Sequence, residues 1–196
     1  GAELLGDESA DADAEIIALS ADCLRRAGLE EFQISVGHVQ FFASLAKEAG
    51  LDQETEEELK QLIVNKNNFG VEKLLSGTGM DPGLRELFVM LPSLFGEEIL
   101  QKALAMTEGR EASRAILRLH RVLELLKIYR LDRYVSFDLG MLGNYNYYTG
   151  VVFRGYTYGV GNPLIKGGRY DGLLAHFGKE APAIGFVLVL NQLMNA

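Results

Sequence analysis

At 196 residues, with 48% apolar and 23% charged residues, the chain can bury a full core and has globular composition. Its net charge of −8 is uneven: residues 1–140 hold 15 Lys and Arg against 25 Asp and Glu, whereas residues 141–196 hold 4 against 2. An acidic surface repels a phosphate backbone, and no apolar run approaches the roughly 18 residues of a membrane span, so neither nucleic acid nor membrane is an expected partner.

The start, Gly1-Ala2-Glu3-Leu4-Leu5, lacks the basic region of a signal peptide, and a cytoplasmic protein is expected. Cys23 is the only cysteine, which excludes an internal disulfide and a cysteine-based zinc site; beside Ile16, Ile17 and Leu24 it reads as a small packed residue. His38, His120 and His176 are far apart with no carboxylate pattern around them, so no metal site is expected. No nucleophile motif suggests a hydrolase.

In chain order, Glu3 to Gly6 reads as the end of a strand, and an acidic run from Asp7 to Asp13 leads into a helix over about residues 12–27. Ile17, Ala21 and Leu24 form its inner face and Gly28 its stop. Phe32, Ile34 and Val36 alternate as a strand, with a turn expected at Gly37-His38. Residues 39–130 read as helical throughout, punctuated by Gly50, Gly70, Gly83, Pro92, Gly96 and Gly109. The longest stretch, 111–129, carries a core stripe of Ala112, Ala115, Ile116, Leu119, Val122, Leu123 and Leu126. After Leu131 the chain turns β-rich: Val135, Phe137 and Leu139 alternate, then a strand is expected over 147–158, a hairpin turn at Gly159 to Asn162, and a strand near Leu164-Ile165. A helix over 170–177, a strand over 183–189 and a helix running to Ala196 complete the reading. The class is α+β, with antiparallel-looking strands. The expected organisation is one α+β domain from residues 1–36 and 131–196, with residues 37–130 as a helical insert. The chain reads as beginning inside a strand and ending inside a helix, as a piece of a longer protein would.

Two segments carry the functional signal, Asn146-Tyr147-Tyr148-Thr149-Gly150 and Gly167-Gly168-Arg169-Tyr170-Asp171-Gly172-Leu173. They combine tyrosine hydroxyls with glycines that let backbone approach a small polar ligand. Together they resemble the two histidine-recognition motifs of the histidyl-tRNA synthetase family, shared by the synthetase-like regulatory subunits of ATP phosphoribosyltransferase. The resemblance covers nearly the whole chain and implies a class II synthetase-like antiparallel sheet with helices. It implies that Glu3, in a Gly-x-Glu segment, accepts a hydrogen bond from a ligand imidazole. Tyr148 would bond the other side of the ring, with Tyr170 also facing the ligand and Gly167 and Gly168 beside it. A carboxylate on one ring edge and a hydroxyl on the other select one orientation of histidine. Arg169 and Asp171, between these residues, read as pairing with each other or capping a helix.

Departures from the synthetase pattern are as telling. The family's phosphate-neutralising arginine, seven positions before Gly150, is Gly143 here, and the aspartate two before the second tyrosine is Asn146. The Glu-Arg pair of the third signature motif is Asn191-Gln192. Losing one fixed cation opposite developing charge lowers a rate by on the order of 10² to 10³, so loss of two implies no adenylation. Gly37-His38-Val39, Asn65-Lys66-Asn67-Asn68 and residues 177–183 also resemble the regulatory subunits more closely. That resemblance implies a non-catalytic subunit with no catalytic residues and no cofactor. It would bind L-histidine and a short-form ATP phosphoribosyltransferase catalytic subunit as a homodimer within a hetero-oligomer. The alternatives are a fragment of an active histidyl-tRNA synthetase and a free-standing amino-acid sensor.

Overall fold

A computed structural model of the chain describes residues 1–96, 98–142 and 147–196. In chain order the strands are β1 (Ala2–Leu5), β2 (Phe32–His38), β3 (Phe95–Gly96), β4 (Val135–Asp138), β5 (Val151–Thr157), β6 (Ile165–Arg169) and β7 (Ala183–Leu188). The α-helices are α1 (Ala10–Arg26), α2 (Val39–Ala49), α3 (Gln53–Val64), α4 (Asn68–Leu74), α5 (Pro82–Met90), α6 (Ile99–Met106), α7 (Ser113–Ile128) and α8 (Leu190–Leu193). The strands form one sheet in the order β1-β7-β6-β5-β2-β4-β3.

Helix α1 starts where Ser9 caps it, accepting a bond from the Ala12 amide at 3.2 Å, with Asp11 and Asp13 in the first turn and Arg25 and Arg26 in the last. Both placements complement the helix dipole. Its expected inner face, Ile17, Ala21 and Leu24, is fully buried. It packs against α7, whose stripe of Ile116, Leu119, Val122 and Leu126 is buried in turn. These helices cover one face of the sheet, where Ile34, Val36, Phe137, Phe153 and Ile184 complete the core.

Several expectations are corrected. The chain makes no turn at Gly37-His38: β2 runs through His38, whose side chain caps α2 by accepting from the Gln40 amide. The sheet is mixed rather than antiparallel, because β4 pairs parallel to β2 after the long crossover of residues 39–134. That crossover contains a two-residue strand, β3, so it is not helical throughout. Tyr147 and Tyr148 precede β5 instead of lying in it, and β6 extends to Arg169. No α-helix spans 170–177, where only Leu174–Phe177 is helical, as a 3₁₀ turn. The Tyr170 amide donates to the Ala183 carbonyl and the Asp171 amide to Thr149 Oγ1, so tertiary partners engage both. The hairpin turn between β5 and β6 is present, with Gly159 at φ 83°.

Candidate functional site

Register decides which side chains share the open face of the sheet. Glu3 pairs with Gly185, Gly185 with Gly168, Gly168 with Val152 and Val152 with Gly37, forming one row across five strands. Because side chains alternate, the neighbouring row of Leu4, Ile184 and Arg169 points to the helix-covered side. Two glycines beside Glu3 therefore leave a floor without side chains. A methyl group at Gly185 would overlap the Glu3 carboxylate, and one at Gly168 would lie 2.6 Å from Tyr148 Cε1.

Over this floor the Tyr170 hydroxyl donates a hydrogen bond to Glu3 Oε2. Burial and then the bond to Glu3 raise the Tyr170 pKa well above the ordinary phenol value, so it remains a neutral donor at physiological pH. Tyr147 stands between the other two tyrosines, its ring centroid 4.6 Å from that of Tyr148 and 6.2 Å, edge-on, from that of Tyr170. Glu3, Tyr148, Tyr170 and Gly168 are thus brought together on one face. Gly167 is turned the other way, toward the core: a methyl group there would lie 2.8 Å from Phe153 Cε1. Gly143 and Asn146 lie outside the described residues, while Gln192 sits on α8.

A second network on the helix side holds the site in place. Asp13, fully buried, accepts from Arg169 Nε and Arg118 Nε, each at 2.7 Å. Arg169 also donates to Asp171 Oδ1 and the Asp7 carbonyl at 3.0 Å, and to the Ser9 carbonyl at 3.3 Å. Burial opposes the Arg169 charge, but Asp13 and Asp171 outweigh it and hold its pKa above the ordinary value. The expected pairing of Arg169 with Asp171 is present, and Asp13 is the partner that sequence reading missed. Thr149 links the two networks: its amide donates to the Arg169 carbonyl at 2.8 Å and its hydroxyl accepts from the Asp171 amide at 3.0 Å. The tyrosine segment is thereby tied to the end of β6. Gly185 and Tyr147 are further members that the sequence reading left out. Tyr147 stood inside the motif, but Gly185 is found only through its register with Glu3.

On the helix side, His38 borders a cavity of about 630 Å³ with Arg114, Arg118, Thr149 and Arg169. Burial, followed by the charges of Arg118 and Arg169, lowers its pKa from 6.5 to about 4. Among the described residues no group of three or more His, Cys, Asp or Glu side chains is placed to hold a metal ion. No described helix is long and apolar enough to cross a membrane.

A mixed sheet backed by helices on one side, with a glycine-floored polar pocket on the other, is the class II aminoacyl-tRNA synthetase fold. A family model described as histidyl-tRNA synthetase matches residues 1–193, and the chain belongs to that family. It is 41% identical over 197 residues to the ATP phosphoribosyltransferase regulatory subunit of Acetivibrio thermocellus, covering 100% of this chain and 47% of that protein. The corresponding protein of Ruminiclostridium cellulolyticum is 43% identical over 197 residues, with 100% and 47% covered. Among solved structures, an ATP phosphoribosyltransferase regulatory subunit/histidyl-tRNA synthetase from Bacillus halodurans C superposes with a TM-score of 0.90 at 34% identity, over 98% of this chain and 51% of that one. The chain spans about half the length of these relatives.

Proposed function

We propose that the full-length protein is a cytoplasmic, non-catalytic regulatory subunit of ATP phosphoribosyltransferase that binds histidine and joins a short-form catalytic subunit. The observation that carries this reading is the pairing of Glu3 with Tyr170 over the Gly168 and Gly185 floor, in a chain that has Gly143 and Gln192 where adenylation requires cations. The names of the relatives support the same assignment.

In this mechanism Glu3 Oε2 is held by Tyr170, and Oε1 accepts a ring N–H of histidine, with Tyr148 on the opposite ring edge. Occupancy is read by the partner subunit, not spent on chemistry. Histidine that inhibits the assembled enzyme must bind its inactive state more tightly, and assembly must alter histidine affinity reciprocally. The reading needs no cofactor.

Calorimetric titration of histidine into the full-length protein tests the pocket. A buried partner left unsatisfied costs about 1 to 3 kcal/mol, so Glu3→Ala and Tyr148→Phe should each weaken binding roughly tenfold or more. Equal affinity in wild type and both variants would remove the site from consideration. Mixing the protein with a short-form catalytic subunit and measuring phosphoribosyl transfer tests the partner: association and histidine inhibition that is blunted by Glu3→Ala are expected. The family description favours a second reading, an active histidyl-tRNA synthetase. Histidine-dependent pyrophosphate exchange at synthetase-like rates would establish it instead.

A further inference from the structure

On the side of the sheet opposite Glu3, the cavity bordered by His38 is lined by charges of both signs that do not meet each other. Arg114 and Arg118 lie one turn apart on α7 and share a face, and Glu111 stands just before that helix. Glu8, beside the Ser9 cap of α1, completes the charged lining. The Arg114 guanidinium and the carboxylates of Glu8 and Glu111 make no ion pair or hydrogen bond among the described residues. Arg118 gives Nε to Asp13 and Nη2 to the Glu8 carbonyl, which leaves Nη1.

Charges at a rim are commonly just solvated, and it is His38 that makes this cavity a built site. Its Nδ1 accepts from the Gln40 amide, so the neutral ring carries its proton on Nε2, a donor with no partner among the described residues. The ring is mostly covered, and its pKa of about 4 keeps it neutral at physiological pH. A covered donor calls for an acceptor, and a cavity of about 630 Å³ has room for a molecule that brings one. Sign then decides the kind of molecule. A pure anion would be repelled by Glu8 and Glu111, and a pure cation by Arg114 and Arg118, whereas a ligand carrying both charges is attracted at both ends.

We infer that this cavity is a site for a small zwitterion, its carboxylate held by Arg114, Arg118 Nη1 and His38 Nε2 and its ammonium group by Glu111 and Glu8. The site shares no side chain with the Glu3–Tyr170 pocket, lies across the sheet from it, and does not depend on histidine being the ligand there.

The probe is L-alanine, which has no imidazole, titrated calorimetrically into the full-length protein at low ionic strength. It is compared with N-acetyl-L-alanine, which lacks the ammonium charge, and L-alaninamide, which lacks the carboxylate. One saturable alanine per chain is expected, weakening with salt, and each blocked analogue should bind about fivefold or more weakly, the worth of a solvent-accessible ion pair. Arg114→Ala and Glu111→Gln should each cost alanine a similar factor, while Lys127→Ala, also on α7, should change nothing. Glu3→Ala should leave alanine binding intact, so this site and the histidine pocket stand or fall separately. No saturable binding, equal affinity for alanine and either analogue, or equal losses in Arg114→Ala and Lys127→Ala would overturn the site. It would also be overturned if Glu3→Ala abolished alanine binding and Arg114→Ala spared it, because alanine would then occupy the open-face pocket.

Discussion

The two faces of the sheet carry two carboxylate-centred networks, and adjacent residues around the end of β6 serve both. On the helix side Asp13 is buried and both its oxygens are taken by arginines. On the open side Glu3 is exposed, with Oε2 engaged by Tyr170. A buried carboxylate with all its capacity used can only hold structure, because any loss strands a charge away from water. An exposed carboxylate with an oxygen to spare can exchange water for a ligand. Burial and saturation, rather than residue type, separate a carboxylate that can only hold structure from one that is able to take up a ligand.

The sharpest way to break this contrast is Asp13→Ala, which leaves Arg169 and Arg118 facing each other without their carboxylate. Breaking a buried pair by removing one partner costs about 3–5 kcal/mol, and a shift of that size in denaturant unfolding is expected. Glu3→Ala should change unfolding by less than about 1 kcal/mol, since Glu3 is solvated. Similar losses in both variants would erase the distinction.

Next in size is Gly167→Ala. Its methyl group would meet Phe153 and, at 2.6 Å, the Gly185 carbonyl, so about 1–3 kcal/mol of stability should be lost through overpacking. Gly168→Ala would instead press on Tyr148, and loss of histidine affinity should be its leading effect. If Gly167→Ala weakens histidine binding without lowering stability, the assignment of the two glycines to opposite faces is wrong.

A smaller effect belongs to His38 on the helix side. Its folded pKa, about 4, lies below the ordinary 6.5, so between these values the unfolded chain binds the extra proton. Stability is therefore fully present above about pH 6.5 and declines as pH falls toward 4. The ring is mostly covered but keeps some solvent contact, which limits the loss to on the order of 1–2 kcal/mol. Thermal unfolding across this window should show the decline, and His38→Gln should flatten it. The smallest expected change is Tyr170→Phe, which removes one neutral donor to an exposed carboxylate and should cost about 0.5–1 kcal/mol of stability. Its larger consequence should appear in histidine affinity, because Glu3 loses the group that positions it.

Much of this architecture is written locally. The inner face of α1 follows from the spacing of Ile17, Ala21 and Leu24, and the stripe on α7 from Ile116, Leu119, Val122 and Leu126; both are buried where periodicity places them. The hairpin at Gly159 and the strand over 183–188 are equally local. Tyrosines and glycines in two short segments were enough to locate the candidate site near residues 147–170. Local signals misled where distant partners compete for backbone groups. Tyr170 and Asp171 look helical beside Leu173 and Leu174, yet β7 and Thr149 take their amides.

By itself the sequence determined the α+β class, the order of most elements, the candidate ligand residues Glu3, Tyr148 and Tyr170, and the absence of cations at positions 143 and 192. Each depends on residue identity or on spacing within a few turns or strand residues. Only the tertiary structure decided that β4 runs parallel to β2, that Gly167 and Gly168 face opposite sides, that Gly185 floors the pocket under Glu3, and that Asp13 meets Arg169 across 156 positions. Strand direction follows from the path of the intervening crossover, and sidedness from a register in which a shift of one residue inverts every side chain. Long-range pairing of buried charges follows from where helices and strands come to rest, a placement that no local spacing encodes.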